Sequence, residues 1–200
     1  MNKKSYLGFV FFIFVAFSVS SLFSSSVKAE TETLQFGTQV TGSITEDNPS
    51  QTYEITLEKP GIINIDFASY IYEVRLDVYD SYGNEVFDTQ YISSGSSTNP
   101  KQWFGSEYLE AGIYYIKVSQ YYDYTGTYNL KVNYEPTNNN ELEPNNGTEQ
   151  AQKLELNTQT VKGLISWNDD ADYYKIQLEK PGKINIDFSS YIYEVRLDVY

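Results

Sequence analysis

The sequence predicts an all-β protein built from antiparallel β-sandwiches of jelly-roll type, arranged as a tandem repeat whose second copy is incomplete. Three observations predict it. Apolar and polar residues alternate over short runs, and no window holds a helical period. Turn-forming residues separate those runs. Residues 53–79 (YEITLEKPGIINIDFASYIYEVRLDVY) return at 174–200 (YKIQLEKPGKINIDFSSYIYEVRLDVY) with an offset of 121 and 23 of 27 positions identical.

Residues 1–29 carry Lys3 and Lys4, an apolar stretch from Leu7 to Phe17 and Val27-Lys28-Ala29, the pattern of a secretory signal peptide. The apolar stretch is too short for a permanent membrane span. No cysteine follows it to carry a lipid anchor. The first sandwich is expected over 30–135, an Asn-rich linker over 136–140, and the first half of a second sandwich over 141–200.

The positions that differ between the copies show which way the strands face. Glu54 and Thr56 become Lys175 and Gln177, flanking Tyr53, Ile55 and Leu57; Ile62 becomes Lys183, in phase with Asn64 and Asp66. Drift confined to one phase of a two-residue period marks a half-buried strand, with Ile63, Ile65 and Phe67 inward. Val74, Leu76 and Val78 alternate likewise, as do Tyr114, Ile116 and Val118, then Tyr128, Leu130, Val132 and Tyr134. Lys59-Pro60-Gly61, Tyr82-Gly83-Asn84, Ala111-Gly112 and Thr125-Gly126 supply turns. Upstream, VTGSI (40–44) answers VKGLI (161–165). The second copy lacks counterparts of residues 80–134, so its apolar faces and strand edges are expected to lack partners.

Composition narrows the chemistry. The chain has no histidine and no cysteine, which removes the usual general base, the commonest zinc ligand, thiol nucleophiles and disulfides. No nucleophile-elbow or phosphate-loop motif is present. Removal of residues 1–29 would take three lysines and leave 11 basic against 27 acidic residues, a net charge of −16. Such a surface repels nucleic acid and anionic lipid and suits divalent cations or basic partners, though acidity also serves solubility. An enzyme is not expected.

The stretch ELEPNNG (141–147) is unusually rich in oxygen for a linker. Pro144 biases Glu143 toward an extended backbone, so Glu141 and Glu143 share a face and Leu142 turns away to pack. Asn145 and Asn146 add amide oxygens, and WNDDADYY (167–174) supplies Asp169, Asp170 and Asp172. This inventory could meet calcium's demand for six to eight hard oxygens. Equally, an acidic linker and a solvated loop that never meet would show the same residues.

E-x-E-P-N-N, then G-L-I, then D-x-x-D-Y-Y and a strand closed by E-K-P-G resembles the bacterial pre-peptidase C-terminal domain, related to the collagen-binding domains of clostridial collagenases. In the first copy, LEAGIYYIKV (109–118) and GTYNLKV (126–132) resemble that family's closing strands. The resemblance implies a Ca2+ site in the second repeat formed by Glu141, Glu143, Asn145, Asn146, Asp169 and Asp172, with Asp170 outside it. The first copy has TEDNPSQTY (45–53) at the equivalent loop and no E-x-E-P-N-N, so Glu46 and Asp47 are expected to form a polar turn without calcium.

Twenty tyrosines are many for 200 residues. Tyr53, Tyr114, Tyr128 and Tyr134 belong to the core by alternation, whereas Tyr79, Tyr115, Tyr122 and Tyr124 fall on outward phases or in loops. The latter four are candidates for a ligand face, since tyrosine gives large contact area at low entropic cost; β-propensity alone also places tyrosines in strands. The resulting expectation is a secreted, non-catalytic, calcium-responsive module of a larger extracellular protein. Its partner would be an extracellular protein polymer, collagen-like, or a parent peptidase domain, with no nucleic acid and no membrane after signal cleavage. The alternative is a structural spacer or adhesin on a cell or spore surface.

Overall fold

In the computed structural model, residues 31–157 and 159–200 are described; the expected signal peptide lies outside them. Among the described residues eleven strands occur in chain order: β1 (Glu32–Thr33), β2 (Gln39–Ile44), β3 (Ser50–Leu57), β4 (Gly61–Ser69), β5 (Glu73–Asp80), β6 (Glu85–Ser93), β7 (Lys101–Leu109), β8 (Gly112–Gln120), β9 (Gly126–Pro136), β10 (Gln152–Lys153) and β11 (Tyr174–Lys175). Among the described residues there is no helix, hence none long and apolar enough to cross a membrane.

One sheet runs β1-β3-β8-β5-β6 and the other β2-β9-β4-β7. Apart from the short parallel pair β1–β3, every pairing in them is antiparallel. Consecutive strands cross between the sheets, β3 to β4 and β4 to β5 and again β8 to β9, so β3-β8-β5-β6 faces β2-β9-β4-β7 as in a jelly roll. The turns read from sequence lie between these strands, with Gly83 (φ 87°) and Gly126 (φ 151°) in backbone conformations that favour glycine.

Alternation places the core where the sequence puts it. Tyr53, Ile55 and Leu57 of β3 face Ile63, Ile65 and Phe67 of β4, joined by Val74, Leu76, Val78, Ile116, Val118, Tyr128, Leu130 and Val132 in one buried cluster. Glu54, Thr56, Ile62, Asn64 and Asp66 lie on the outer faces, half-buried or exposed. Two phenols are buried within this apolar layer, and both find partners: the Tyr128 hydroxyl donates to Gln51 Oε1 at 2.5 Å and lies 2.8 Å from the Tyr53 hydroxyl. Burial pushes both phenols up from their ordinary pKa. A Cβ on Gly42 of β2 would stand 2.3 Å from the Tyr128 ring, so this close approach needs glycine.

The second repeat begins as the first does. β10 pairs in parallel with β11 (Gln152 with Tyr174) as β1 pairs with β3 (Glu32 with Tyr53), and Leu154 N–H donates to Lys175 O at 2.9 Å as Leu34 N–H donates to Glu54 O at 2.9 Å. Asn157 (φ 62°) and Gly37 (φ 77°) also hold matching left-handed conformations.

The likeness ends at Lys175. Residues 176–200 form no strand, and Ile63 and Phe67, fully buried in β4, correspond to Ile184 and Phe188 at 38% and 55% exposure. The reason lies in the pairing. β3 bonds to β1 and β8, β4 to β7 and β9, β5 to β6 and β8; no two of β3, β4 and β5 bond to each other. Residues 174–200 repeat only those three segments, so their backbone groups have no ladder to join, except where β10 meets β11.

Native-state amide exchange tests this directly on one sequence in two places. The amides of INIDF at 63–67 should exchange only through global opening, and those of INIDF at 184–188 at nearly the rate of a free peptide. Equal protection would contradict the assignment.

Candidate metal centre

The linker after β9 is tied at both ends. Thr137 donates to Pro60 O through its N–H (2.9 Å) and its hydroxyl (3.0 Å), fastening it to the β3–β4 turn. Asn140 then crosses to the second repeat: its N–H donates to Lys162 O at 3.0 Å, and its Oδ1 accepts Lys162 N–H at 2.7 Å. Glu141 and Glu143 follow, and their side chains turn the same way, as the two-residue spacing requires. Leu142 turns away, but into solvent at 69% exposure, and does not pack as expected.

Carboxylate oxygens of Glu141, Glu143 and Asp172 lie within 4.8 Å of one another. The two acidic stretches therefore meet. The loop that brings Asp172 is fastened by Tyr173 N–H donating to Asn145 O at 2.9 Å. Glu141 is held by Leu164 N–H and Asn139 Nδ2 on Oε1 and by the Tyr174 hydroxyl on Oε2, 2.9 Å away. Glu143 Oε2 accepts Asn145 N–H at 2.9 Å. Gly163 lies under this group: a Cβ there would sit 2.7 Å from both Asp172 Oδ2 and Glu141 Oε2, and 2.8 Å from the Tyr174 hydroxyl. The glycine leaves the room that the carboxylates occupy.

The remaining expected residues differ in what they offer. Asn145 is fully buried, and neither its amide oxygen nor its amide nitrogen has a partner. Asp169 is 2% exposed; its Oδ1 accepts Asn146 Nδ2 at 2.6 Å and its Oδ2 has no partner. Asn146 also accepts Asn145 N–H through Oδ1 at 3.1 Å, so it braces Asp169 and the turn and keeps one acceptor site on that oxygen. Asp172 Oδ1 is unpartnered, and Asp170 is exposed. In the first copy, Glu46 and Asp47 sit in an exposed turn closed by Asn48 N–H to Thr45 Oγ1 at 3.0 Å.

Crowding disfavours the charged form of Glu143, Asp169 and Asp172. Burial, and then the charges of Glu141 and Asp169, push Asp172 up to about 8. Glu143 and Asp169 are also raised, in each case by burial first and then by neighbouring carboxylates. The Tyr174 phenol is raised by burial and by its bond to Glu141. Among the described residues no lysine or arginine forms an ion pair with any of them. Buried, orphaned oxygens around a like-charged group are what a cation would satisfy. The donors are all hard oxygens, which suit calcium or magnesium and not the thiolate- or imidazole-seeking metals.

Sequence reasoning did not single out Gly163, Tyr174 or Glu110. Tyr174 repeats Tyr53, whose hydroxyl meets Tyr128 in the core, but here the hydroxyl donates to Glu141. Glu110 Oε1 is a further orphan; burial pushes this carboxyl up to about 6, with the Ser166 hydroxyl opposing and Glu143, Asp169 and Glu141 adding to the rise.

The four candidate tyrosines do not form one patch. Tyr79 and Tyr115 face each other in register on β5 and β8, half-buried. Six residues along the chain, roughly 20 Å at a strand's rise, Tyr121 opens a second group. There Tyr121 and Tyr122 have ring centroids 4.4 Å apart, with Tyr91 4.8 Å from Tyr121 and Tyr72 4.9 Å from Tyr124. Tyr122 is 70% exposed, and Tyr72 and Tyr91 are more than half exposed. Tyr72, Tyr91 and Tyr121 escaped the sequence reading because only the fold gathers them.

No family model matches the chain. Collagenase ColA of Clostridium perfringens is 28% identical over 162 residues, covering 74% of this chain and 14% of that protein. The chain thus spans about 14% of the length of the curated relative it matches. Among solved structures, the pre-peptidase C-terminal domain of a Bacillus anthracis collagenase is 19% identical with a TM-score of 0.42, covering 52% of this chain and 96% of that one. PliG of Aeromonas hydrophila, a periplasmic inhibitor of g-type lysozyme, is 16% identical with a TM-score of 0.38 over 52% of this chain and 96% of its own. The chain is related in sequence to a stretch of a clostridial collagenase.

The cradle under the carboxylates can be tested alone. Gly163→Ala should displace Glu141 and abolish the slow exchange of the Leu164 amide that donates to it, while leaving the first sandwich's melting unchanged. A protected Leu164 amide in that variant would show that the packing around Gly163 is wrong.

Proposed function

We propose that the chain is a non-catalytic, calcium-responsive β-sandwich module of a larger extracellular protein, and that it binds a protein polymer or serves a parent peptidase. The observation that carries the calcium part is the convergence of Glu141, Glu143 and Asp172 oxygens within 4.8 Å beside the orphaned Asn145 Oδ1 and Asp169 Oδ2. Calcium is favoured over magnesium because so many oxygens come from the chain; magnesium keeps several waters and takes one or two carboxylates. Calcium would neutralise charge that the fold otherwise concentrates without relief, and would fix the linker to the second repeat. The relationship to a collagenase supports an accessory role beside a peptidase. The absence of histidine and cysteine leaves no thiol- or imidazole-based catalysis to expect.

Because a ligand that binds only the folded form stabilises it by mass action, calcium at about a hundredfold over its Kd should add about 2.7 kcal/mol. Calorimetry should show a higher melting temperature with calcium, reversed by chelator, and no calcium response in Asp172→Asn. A melting curve indifferent to chelation would end the calcium reading.

The polymer part rests on the exposed tyrosines around Tyr122 and Tyr124. ColA is named a collagenase, which makes insoluble collagen the first polymer to try. The chain should sediment with collagen fibrils, and Tyr122→Ala together with Tyr124→Ala should release it. A second reading, the rigid spacer, is favoured by the bonds that fasten the linker to the first sandwich at Thr137–Pro60 and the second repeat to it at Trp167–Tyr108. A spacer would stay in the supernatant with collagen and other matrix polymers alike.

A further inference from the structure

The side of the acidic cluster that faces the first sandwich is completed by a residue of that sandwich. Leu109 ends β7 in the core, and Glu110 follows in the two-residue turn to β8. The Tyr114 hydroxyl donates to Glu110 O at 3.0 Å, so a largely buried ring fixes the backbone of this turn. Glu110 lines a cavity of about 880 Å³ together with Glu143, Asn146, Ser166 and Asp169.

The second repeat meets this turn by direct packing. Trp167 lies against the first sandwich's core, and its N–H donates to Tyr108 O at 3.0 Å. That contact holds Ser166 and Asp169 beside Glu110. Asp169 Oδ2 lacks any hydrogen-bond partner there, and the Ser166 hydroxyl and Glu110 Oε1 stand close to one another without closing a hydrogen bond. Ser166 and Asp169 are each more than nine-tenths buried, at 8% and 2% exposure. Lys59 lines the same cavity, yet among the described residues no ion pair joins it to Glu110. Carboxylates from both repeats therefore line one space without an ion pair to any of them, and buried groups of one sign are costly unless a cation joins them.

We propose that Glu110 is a cation ligand supplied by the first sandwich to the site on the second repeat, so that calcium fastens one repeat to the other. The inference rests on the calcium reading above, since Glu110 has no role as a ligand without a cation at Glu143 and Asp169. It goes beyond that reading in making the site a joint: one ligand belongs to a sandwich whose own equivalent loop, Thr45 to Asn48, is a plain polar turn.

The test uses the 200-residue chain and calcium chloride. The sequence has no cysteine, so nitroxide labels at Lys101→Cys and Leu156→Cys, both exposed, report the distance between the first sandwich and the second repeat. In the otherwise unchanged chain, calcium should bind by calorimetry and narrow the label-distance distribution. Glu110→Gln should bind calcium about ten- to hundredfold more weakly and lose the narrowing, with melting in chelator unchanged. Glu110→Asp, which keeps the charge but withdraws it by one methylene, should fall between and guards against a folding defect in the first variant. Calcium binding and narrowing in both variants equal to the parent would overturn the role of Glu110 and leave the calcium site standing. Failure of the parent to bind calcium would remove both.

Discussion

The organisation of this molecule turns on a concentration of like charge at the boundary between its repeats. Glu141, Glu143 and Asp172 are pressed together, Asp169 is buried beside them, and none meets a basic side chain among the described residues. Such an arrangement is unfavourable on its own terms, because burial penalises the charged form and each neighbour adds to the penalty. It is held in place by backbone donors and by a phenol, with a glycine beneath that leaves space for it. A fold that places several hydrogen bonds around a repulsive group is shaped for something positive.

The sandwich around which this happens is conventional in its physics. Two faces of alternating apolar residues close on one another, and the buried hydroxyls of Tyr53 and Tyr128 satisfy each other together with Gln51. Its strand order takes neighbours in sequence and places them on opposite sheets. Apart from the two-residue pairing of β3 with β1, that topology makes the 27-residue repeated segment dependent on strands that come later. The same letters are a core at 53–79 and an exposed ribbon at 176–200, which is tertiary context overriding local preference.

Much of this was legible in the sequence. The comparison of the two copies gave strand phase directly, because substitution is tolerated only where side chains meet water, and the structure places Glu54, Ile62 and Asn64 on outer faces accordingly. Turns with glycine and proline were legible for the same local reason. β1, β6 and β7 were not, since β1 is two residues long and β6 and β7 carry exposed residues on both phases. The two acidic stretches could be seen, and their two-residue and three-residue spacings are local. That they meet, that Leu142 faces solvent, and that Asn146 braces where a ligand was expected depend on contacts over more than twenty residues. Glu110 lay furthest from view, because nothing in its neighbourhood of the chain hints that a loop 56 residues later will pack against it.

The near-identity of 53–79 and 174–200 has a consequence for how the chain finds its fold. Both segments carry the side chains that 53–79 turns into the core, and the four differing positions are Glu54, Thr56, Ile62 and Ala68, all away from it. Either segment is thus chemically competent to fill the place between β7 and β9. What separates them is chain connectivity: one segment reaches its partners through short turns, the other only by looping back over the finished linker, at an entropic cost that grows slowly with length. Exchange of strands between tandem copies, or between two molecules, is the characteristic error of such repeats. Inward side chains do not tell the two segments apart, whereas the short turn at Pro60, to which Thr137 is bonded, belongs to one of them alone in this fold.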